Sequence, residues 1–261
     1  MRFDSRKFPV LSVLMLVFAS AFAVSAGYAG VRDADFDALI QKKGEPAKEL
    51  VEDPTIYREA ELNDMPCSAD DFEFLLDRPL SSVALAGKMH KSLDKYTVKV
   101  VRPGVWHIDD QGKLVGDMEL VSRRPGKRIY YFGGYWKIVA GVKLRGRMAL
   151  VVVYKEGEGK DGRELDAKAR GYMLVDNSVA GAAFRLAAYL FPGKVDARIK
   201  RFATAVKKVV EGLRHDPEAA CRRLEKAQLV PPGEAAEFRT RFLGRRGQPQ
   251  APYLSPRKAL Q

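Results

Sequence analysis

The chain has 261 residues, 46% of them hydrophobic, and 45 Lys and Arg against 33 Asp and Glu give a formal net charge of +12. That is enough chain for one sizeable core, and two cysteines are too few for a disulfide scaffold, so the fold must rest on apolar packing. No phosphate loop, nucleophile elbow or zinc signature occurs, which leaves phosphoryl transfer, serine-hydrolase chemistry and structural zinc without sequence support.

Arg2, Arg6 and Lys7 precede an almost wholly apolar run from Pro9 to Val24, and Val24-Ser25-Ala26 then supplies short residues ahead of Gly27. This is the pattern of a secretory signal peptide over residues 1–26, with a second cut site near Ala29. The run is shorter than the ~20 residues a spanning helix needs. Removing Arg2, Arg6, Lys7 and Asp4 takes away +2 and leaves +10 on an exported, periplasmic or extracellular chain. In that compartment nucleic acid is not an expected partner, and anionic lipid is the acidic surface a basic protein would meet.

Residues 27–55 predict an N-terminal helical segment through Phe36, Leu39, Ile40, Leu50 and Val51, broken at Gly44 and Pro46. A short strand follows over Tyr57 to Asn63. Ser68 then caps a helix with an acidic first turn (Asp70, Asp71, Glu73), and a second short helix runs through Val83, Leu85 and Met89. Strand signals come next in series: 96–102, 105–109, 114–122, 127–138, 142–154 and the run after 163. Pro103-Gly104, Asp110-Gln111-Gly112 and Pro125-Gly126 are turn sequences between them, so an antiparallel meander is expected. Gly133-Gly134, in the middle of an aromatic-rich strand, predicts a bulge or bend.

The most informative strand is Glu164 to Met173, which alternates charged with apolar or small up to Gly171. Period two places Asp166, Lys168 and Arg170 in water and Leu165, Ala167, Ala169, Gly171 and Met173 inward. A face of Ala, Ala and Gly fills a core poorly, so either bulk from elsewhere covers it or it leaves room for an apolar ligand. Beyond Asn177 the period changes. Val179 to Phe191 is apolar nearly all round, Pro192-Gly193 follows, and Val195 to Leu213 carries an amphipathic helix with a basic back. Residues 216–243 predict a C-terminal helical extension, and 244–261 a disordered tail.

The order of strand, two short helices, meander and long helix over residues 56–215 resembles the START-like, or Bet v 1-like (SRPBCC), helix-grip superfamily. The local match is the step from Glu61 through Pro66-Cys67-Ser68 into Ala69-Asp70-Asp71-Phe72-Glu73-Phe74-Leu75-Leu76-Asp77. The resemblance implies an α+β fold in which a curved antiparallel sheet of about six or seven strands wraps the final helix around a cavity. It would bring Leu165, Ala167, Ala169, Gly171, Met173, Tyr131, Trp136, Met118, Leu144 and Phe184 onto the cavity wall. The apolar segment 179–191 departs from the plain family pattern and reads as a gate hinged at Pro192-Gly193, a buried core helix or a membrane contact. It would also bring Cys67 near Cys221, where an oxidising compartment would join them as a disulfide.

The leading expectation is an exported, non-enzymatic carrier or sensor of an apolar ligand such as a lipid, with no cofactor, no metal and a weak preference for anionic membranes. The rivals are a cyclase-like enzyme using His107, Asp109, Tyr131 or Tyr135 as acid/base groups, and a structural protein whose cavity is collapsed. Three scattered histidines give no metal-ligand spacing.

Overall fold

The computed structural model describes residues 36–89, 97–137, 143–159, 162–176, 204, 206–227 and 230–244. The expected signal peptide, the apolar segment 179–191 with Phe184 and its hinge, the start of the basic helix and the tail after Gly244 lie outside the described residues.

The fold is α+β. Helices α1 (Phe36–Lys43) and α2 (Glu45–Glu52) lead into β1 (Ile56–Met65), followed by α3 (Ala69–Leu76) and α4 (Pro79–Met89). Six strands follow: β2 (Thr97–Arg102), β3 (Val105–Asp109), β4 (Leu114–Arg124), β5 (Lys127–Lys137), β6 (Lys143–Gly159) and β7 (Gly162–Val175). Helix α5 (residues 206–215) precedes α6 (Pro217–Glu225) and α7 (Pro232–Leu243). All seven strands form one curved antiparallel sheet in the order β1-β7-β6-β5-β4-β3-β2. Consecutive strands β2 to β7 are joined as hairpins, while β1 crosses over to pair with β7.

Local chemistry explains the starts and turns. Ser68 caps α3 by accepting the Asp71 N–H, and Asp70 and Asp71 sit in its first turn, where the helix dipole favours negative charge. Gly104 and Gly126 adopt φ of 75° and 72° in the turns after β2 and β4, a region that side chains with a Cβ resist. The expected bulge at Gly133-Gly134 does not form. β5 keeps regular register there, Gly133 with Asp117 and Gly134 with Gly116, and the irregularities fall at Leu62/Met65, Val100/Arg102 and Leu120/Ser122.

Both faces of the sheet are covered. On the inner face, Trp106, Met118, Phe132, Met148, Leu150 and Val152 join Phe72 and Leu75 of α3, Val209, Val210 and Leu213 of α5, and Leu224 and Phe238 of the last two helices. On the outer face, Phe36, Leu39, Leu50 and Val51 of the α1–α2 pair cover Ile129, Ala149, Val151, Tyr172 and Leu174. Phe36 meets the Tyr172 ring edge-on at 5.0 Å, and Lys42 and Lys43 reach across to Glu119. The outer side of β7 is therefore wet only over part of its length: Asp166 is exposed, whereas Tyr172 and Leu174 are buried.

Cys67 and Cys221 are free thiols, which corrects the expected disulfide. Cys67 follows β1 among carboxylates of α3 and β6 (Asp71, Glu156), whereas Cys221 sits on α6 beside Glu225 and Arg239. Burial pushes the Cys67 thiol up to about 12, with Asp71 and Glu156 adding to the rise.

Candidate functional site

The inner face of β7 is built as alternation requires. Leu165, Ala167, Ala169 and Met173 are at most 5% exposed, and Gly171 is buried with them. Register adds a further small residue: Ala60 of β1 lies opposite Ala169, so Ala60, Ala167, Ala169 and Gly171 form one low-volume patch across two strands. Its borders are bulkier. Leu62 and Tyr154 flank Ala167, Val152 flanks Ala169, and Ile56 and Met148 flank Met173. Met118 and Trp136 join the same inner core, with Leu144 half-buried against it. Tyr131 does not. One residue out of phase with Phe132, it faces the α1–α2 pair, where the Lys43 ammonium sits 5.0 Å from its ring centre.

Polar groups also reach this largely apolar face. The indole Nε1 of Trp136 is buried and has no hydrogen-bond partner among the described residues, and a buried N–H left without an acceptor carries a desolvation cost. Arg58 of β1 stands opposite Gly171, with one guanidinium nitrogen donating to the Tyr57 carbonyl at 2.8 Å. Period-two alternation through Ile56, Arg58, Ala60 and Leu62 carries the signal for an inward Arg58, but strand β7 alone does not reveal it.

A second row of small residues crosses the same face. Gly116, Gly134 and Gly146 are register partners on β4, β5 and β6. A Cβ on Gly134 would stand 2.7 Å from Phe132 Cζ, and one on Gly146 would stand 2.6 Å from Trp136 Cζ3. Two aromatic rings lie on this row and fill what the glycines leave.

Near the Tyr154 border sits a buried ionic clamp. Arg128 is 2% exposed, and its Nε donates to Asp77 Oδ1 (2.8 Å) while Nη2 donates to Glu73 Oε2 (3.0 Å). Nη1 donates to the Tyr154 hydroxyl (2.8 Å) and to the Arg124 and Lys127 carbonyls, and Tyr154 in turn donates to Glu73 Oε1 at 2.7 Å. Burial acts to raise the Glu73 pKa, yet the bonds from Tyr154, Arg128 and the Gly126 N–H outweigh it and hold this carboxyl below its ordinary value. Burial pushes the Tyr154 hydroxyl up, and its bond to Glu73 adds to the rise. Every donor of the clamp is engaged within the protein, so it fastens α3 to the β4–β5 turn.

The acid/base candidates do not converge. His107 Nδ1 lies 2.6 Å from Asp117 Oδ1, an exposed pair on the outer face of β3 and β4. Asp109 accepts the Gly112 N–H in the turn, and Tyr135 lies under the Lys143 ammonium at 4.6 Å. An open groove of ≈ 760 Å³ between α3 and α7 is lined by Asp70, Glu73, Asp77, Arg78, Glu237 and Arg241 among others, a mixed-charge surface unlike the inner face.

No family model and no curated protein matches the chain. Solved structures of low similarity do. The chain is 12% identical to the protein XoxI from Bacillus cereus over 61% of its own length and 98% of that chain, with a TM-score of 0.34. It is 13% identical to the di-domain aromatase/cyclase BexL of the BE-7585A biosynthetic pathway over 68% of its length and 60% of that chain, with a TM-score of 0.39. It is 12% identical to Ara h 8.0201 over 60% of its length and 95% of that chain, with a TM-score of 0.34. At these identities no activity passes from them to this chain, and the fold stands on the chain's own strand order.

Proposed function

We propose that this protein is an exported, non-enzymatic carrier or sensor of an apolar ligand, lipid-like in character, held against the inner face of the sheet. One observation carries the reading. The inner face carries a patch of Ala60, Ala167, Ala169 and Gly171 and, farther along the strands, a buried indole N–H of Trp136 that has no acceptor among the described residues. Small apolar residues suit a hydrocarbon body, and a buried donor without a partner suits a ligand that brings one acceptor, such as a carbonyl or hydroxyl oxygen. Export rests on residues 1–26, with their basic start, apolar run and short residues before Gly27.

The test is titration with a fluorescent fatty acid and with its hydrocarbon analogue, following quenching of tryptophan emission. Saturable uptake is expected for both, and Ala169→Phe or Gly171→Leu should abolish it. Trp136→Phe should weaken the acid more than the hydrocarbon. Absence of uptake by the parent protein would overturn the reading in favour of a solid core. Secretion of a reporter fused after residue 29 tests export separately.

A further inference from the structure

β2 forms one edge of the sheet and, among the described residues, bonds only to β3. Its end carries an unusual surface. Val100 and Val101 are 52% and 55% exposed, the large apolar side chains left in water among the described residues. Lys99, Arg102 and Pro103 are exposed beside them, and the chain then turns at Gly104 to the buried Val105. The pairing register shifts between Val100 and Arg102, which leaves Val101 as an extra residue and bends the strand end out of the regular ladder.

Behind this tip, one carboxylate gathers three cations. Glu119 is 10% exposed and takes Lys43 and, at 2.8 Å, Lys42 of α1, with Arg102 at 3.8 Å. Three positive groups around a single negative one leave an excess of two charges, and Lys99 adds another from the same strand. Burial acts to raise the Glu119 pKa, but the lysines outweigh it and hold the carboxyl below its ordinary value, so the arrangement persists at neutral pH. Asp117, an exposed acid on β4, is engaged by His107 of β3.

We propose that this hairpin tip docks on an anionic lipid surface, with Val100 and Val101 entering the boundary between headgroups and acyl chains while Lys42, Lys43, Lys99 and Arg102 meet lipid phosphates. Exposed apolar side chains rimmed by cations are the combination that binds such an interface. Two competitors fit less well. A second copy pairing antiparallel about Val100 and Val101 would set Lys99 against Arg102, like charges directly opposed. An added strand from another protein needs a regular edge, which the irregular register interrupts. The docking does not require the inner face to hold a ligand.

The experiment places an environment-sensitive dye on Val101→Cys and, as a control, on Glu61→Cys, exposed on β1 at the opposite edge. Native Cys67 and Cys221 react slowly because burial pushes both thiols up. On vesicles of phosphatidylcholine with about one-third phosphatidylglycerol, the label at 101 should shift to the blue while the label at 61 should not. Pure phosphatidylcholine should give no shift. Raising salt from about 0.1 M to about 1 M shortens screening from about 10 Å to about 3 Å and should reverse the shift. Lys99→Ser should weaken vesicle binding about fivefold, as loss of one surface cation near anionic lipid predicts. Because two positions in one chain are compared, attachment through residues 9–24 alone would move neither label. No shift at 101 on anionic vesicles, or equal shifts at 101 and 61, would overturn the proposal. A shift at 101 with an extended acidic peptide but not with vesicles would assign the edge to strand pairing instead.

Discussion

The inner face carries two groups of small residues that have opposite structural consequences. Gly116, Gly134 and Gly146 run across the sheet, and the rings of Phe132 and Trp136 rest on them, so the missing volume is filled by the sheet's own side chains. Ala60, Ala167, Ala169 and Gly171 cluster at the β1–β7 end, where the flanking residues are Leu62, Val152 and Tyr154 and where Arg58 projects from the same face. A small residue in a strand thus has no fixed meaning. Where an aromatic ring from a neighbouring position lies across it, it is a seat for that ring. Where none does among the described residues, it is the place to look for a ligand.

The sharpest way to break this contrast is to add volume to each group. Gly134→Ala drives a methyl to 2.7 Å from Phe132 Cζ and close to the Val115 carbonyl, and backbone cannot yield as a flexible side chain can. We expect a loss of about 3 kcal/mol, at the upper end of overpacking costs, read from urea denaturation. The double variant Gly134→Ala/Phe132→Leu should recover part of it, and no recovery would mean that the carbonyl, not the ring, sets the limit. Ala169→Phe, a far larger change, should cost less, about 1–2 kcal/mol, if the alanine patch leaves room. A cost exceeding that of Gly134→Ala would make the two groups equivalent and remove the case for a ligand site there.

Trp136→Phe is a subtler probe. It keeps a ring over Gly146 but removes the N–H that has no acceptor among the described residues, so without ligand it should be near neutral, within about 1 kcal/mol, since a buried donor without an acceptor is itself a cost. A large destabilisation would show that ring size rather than the N–H is what the glycine row needs.

The smallest effect is expected from acid. The Glu73 carboxyl is held below its ordinary 4.5 by Tyr154 and Arg128 despite burial, so its contribution to stability is fully present above that value and is lost as pH falls through the lower folded-state pKa. Tyr154 is the register partner of Ala167. Acidification through that lower value should therefore reduce amide-exchange protection at the alanine-patch end of β6 and β7 before it touches the glycine row. Uniform exchange along both strands would mean that the clamp is not local to that end.

Much of this architecture can be read from the residues because its signals are local. Alternation from Leu165 to Met173 assigned the inner side of β7, Ser68 with Asp70 and Asp71 marked the start of α3, and Pro103-Gly104 and Pro125-Gly126 marked turns. What could not be read depends on partners distant in sequence. Gly133-Gly134 looks like a bulge until register sets Gly134 between Gly116 and Gly146. Tyr131 and Trp136 are five apart, an odd number, so a regular strand puts them on opposite faces. The cysteines failed for a related reason: nearness implied by a shared end of the fold does not fix the geometry a bridge requires. Phe184 and the gate lie outside the described residues.

The α1–α2 pair has a temporal consequence. Residues 36–52 leave the ribosome well before the strands they cover, since Lys43 reaches Glu119 and Arg147 reaches back to Glu49 and the Pro46 carbonyl. Until β4 to β7 have been synthesised, Phe36, Leu39, Leu50 and Val51 have no sheet to rest on. Contacts across such sequence distances slow folding, because long loops must close before they are rewarded. A cover that cannot be fitted until β7 has been made leaves the outer face of the sheet open through most of synthesis.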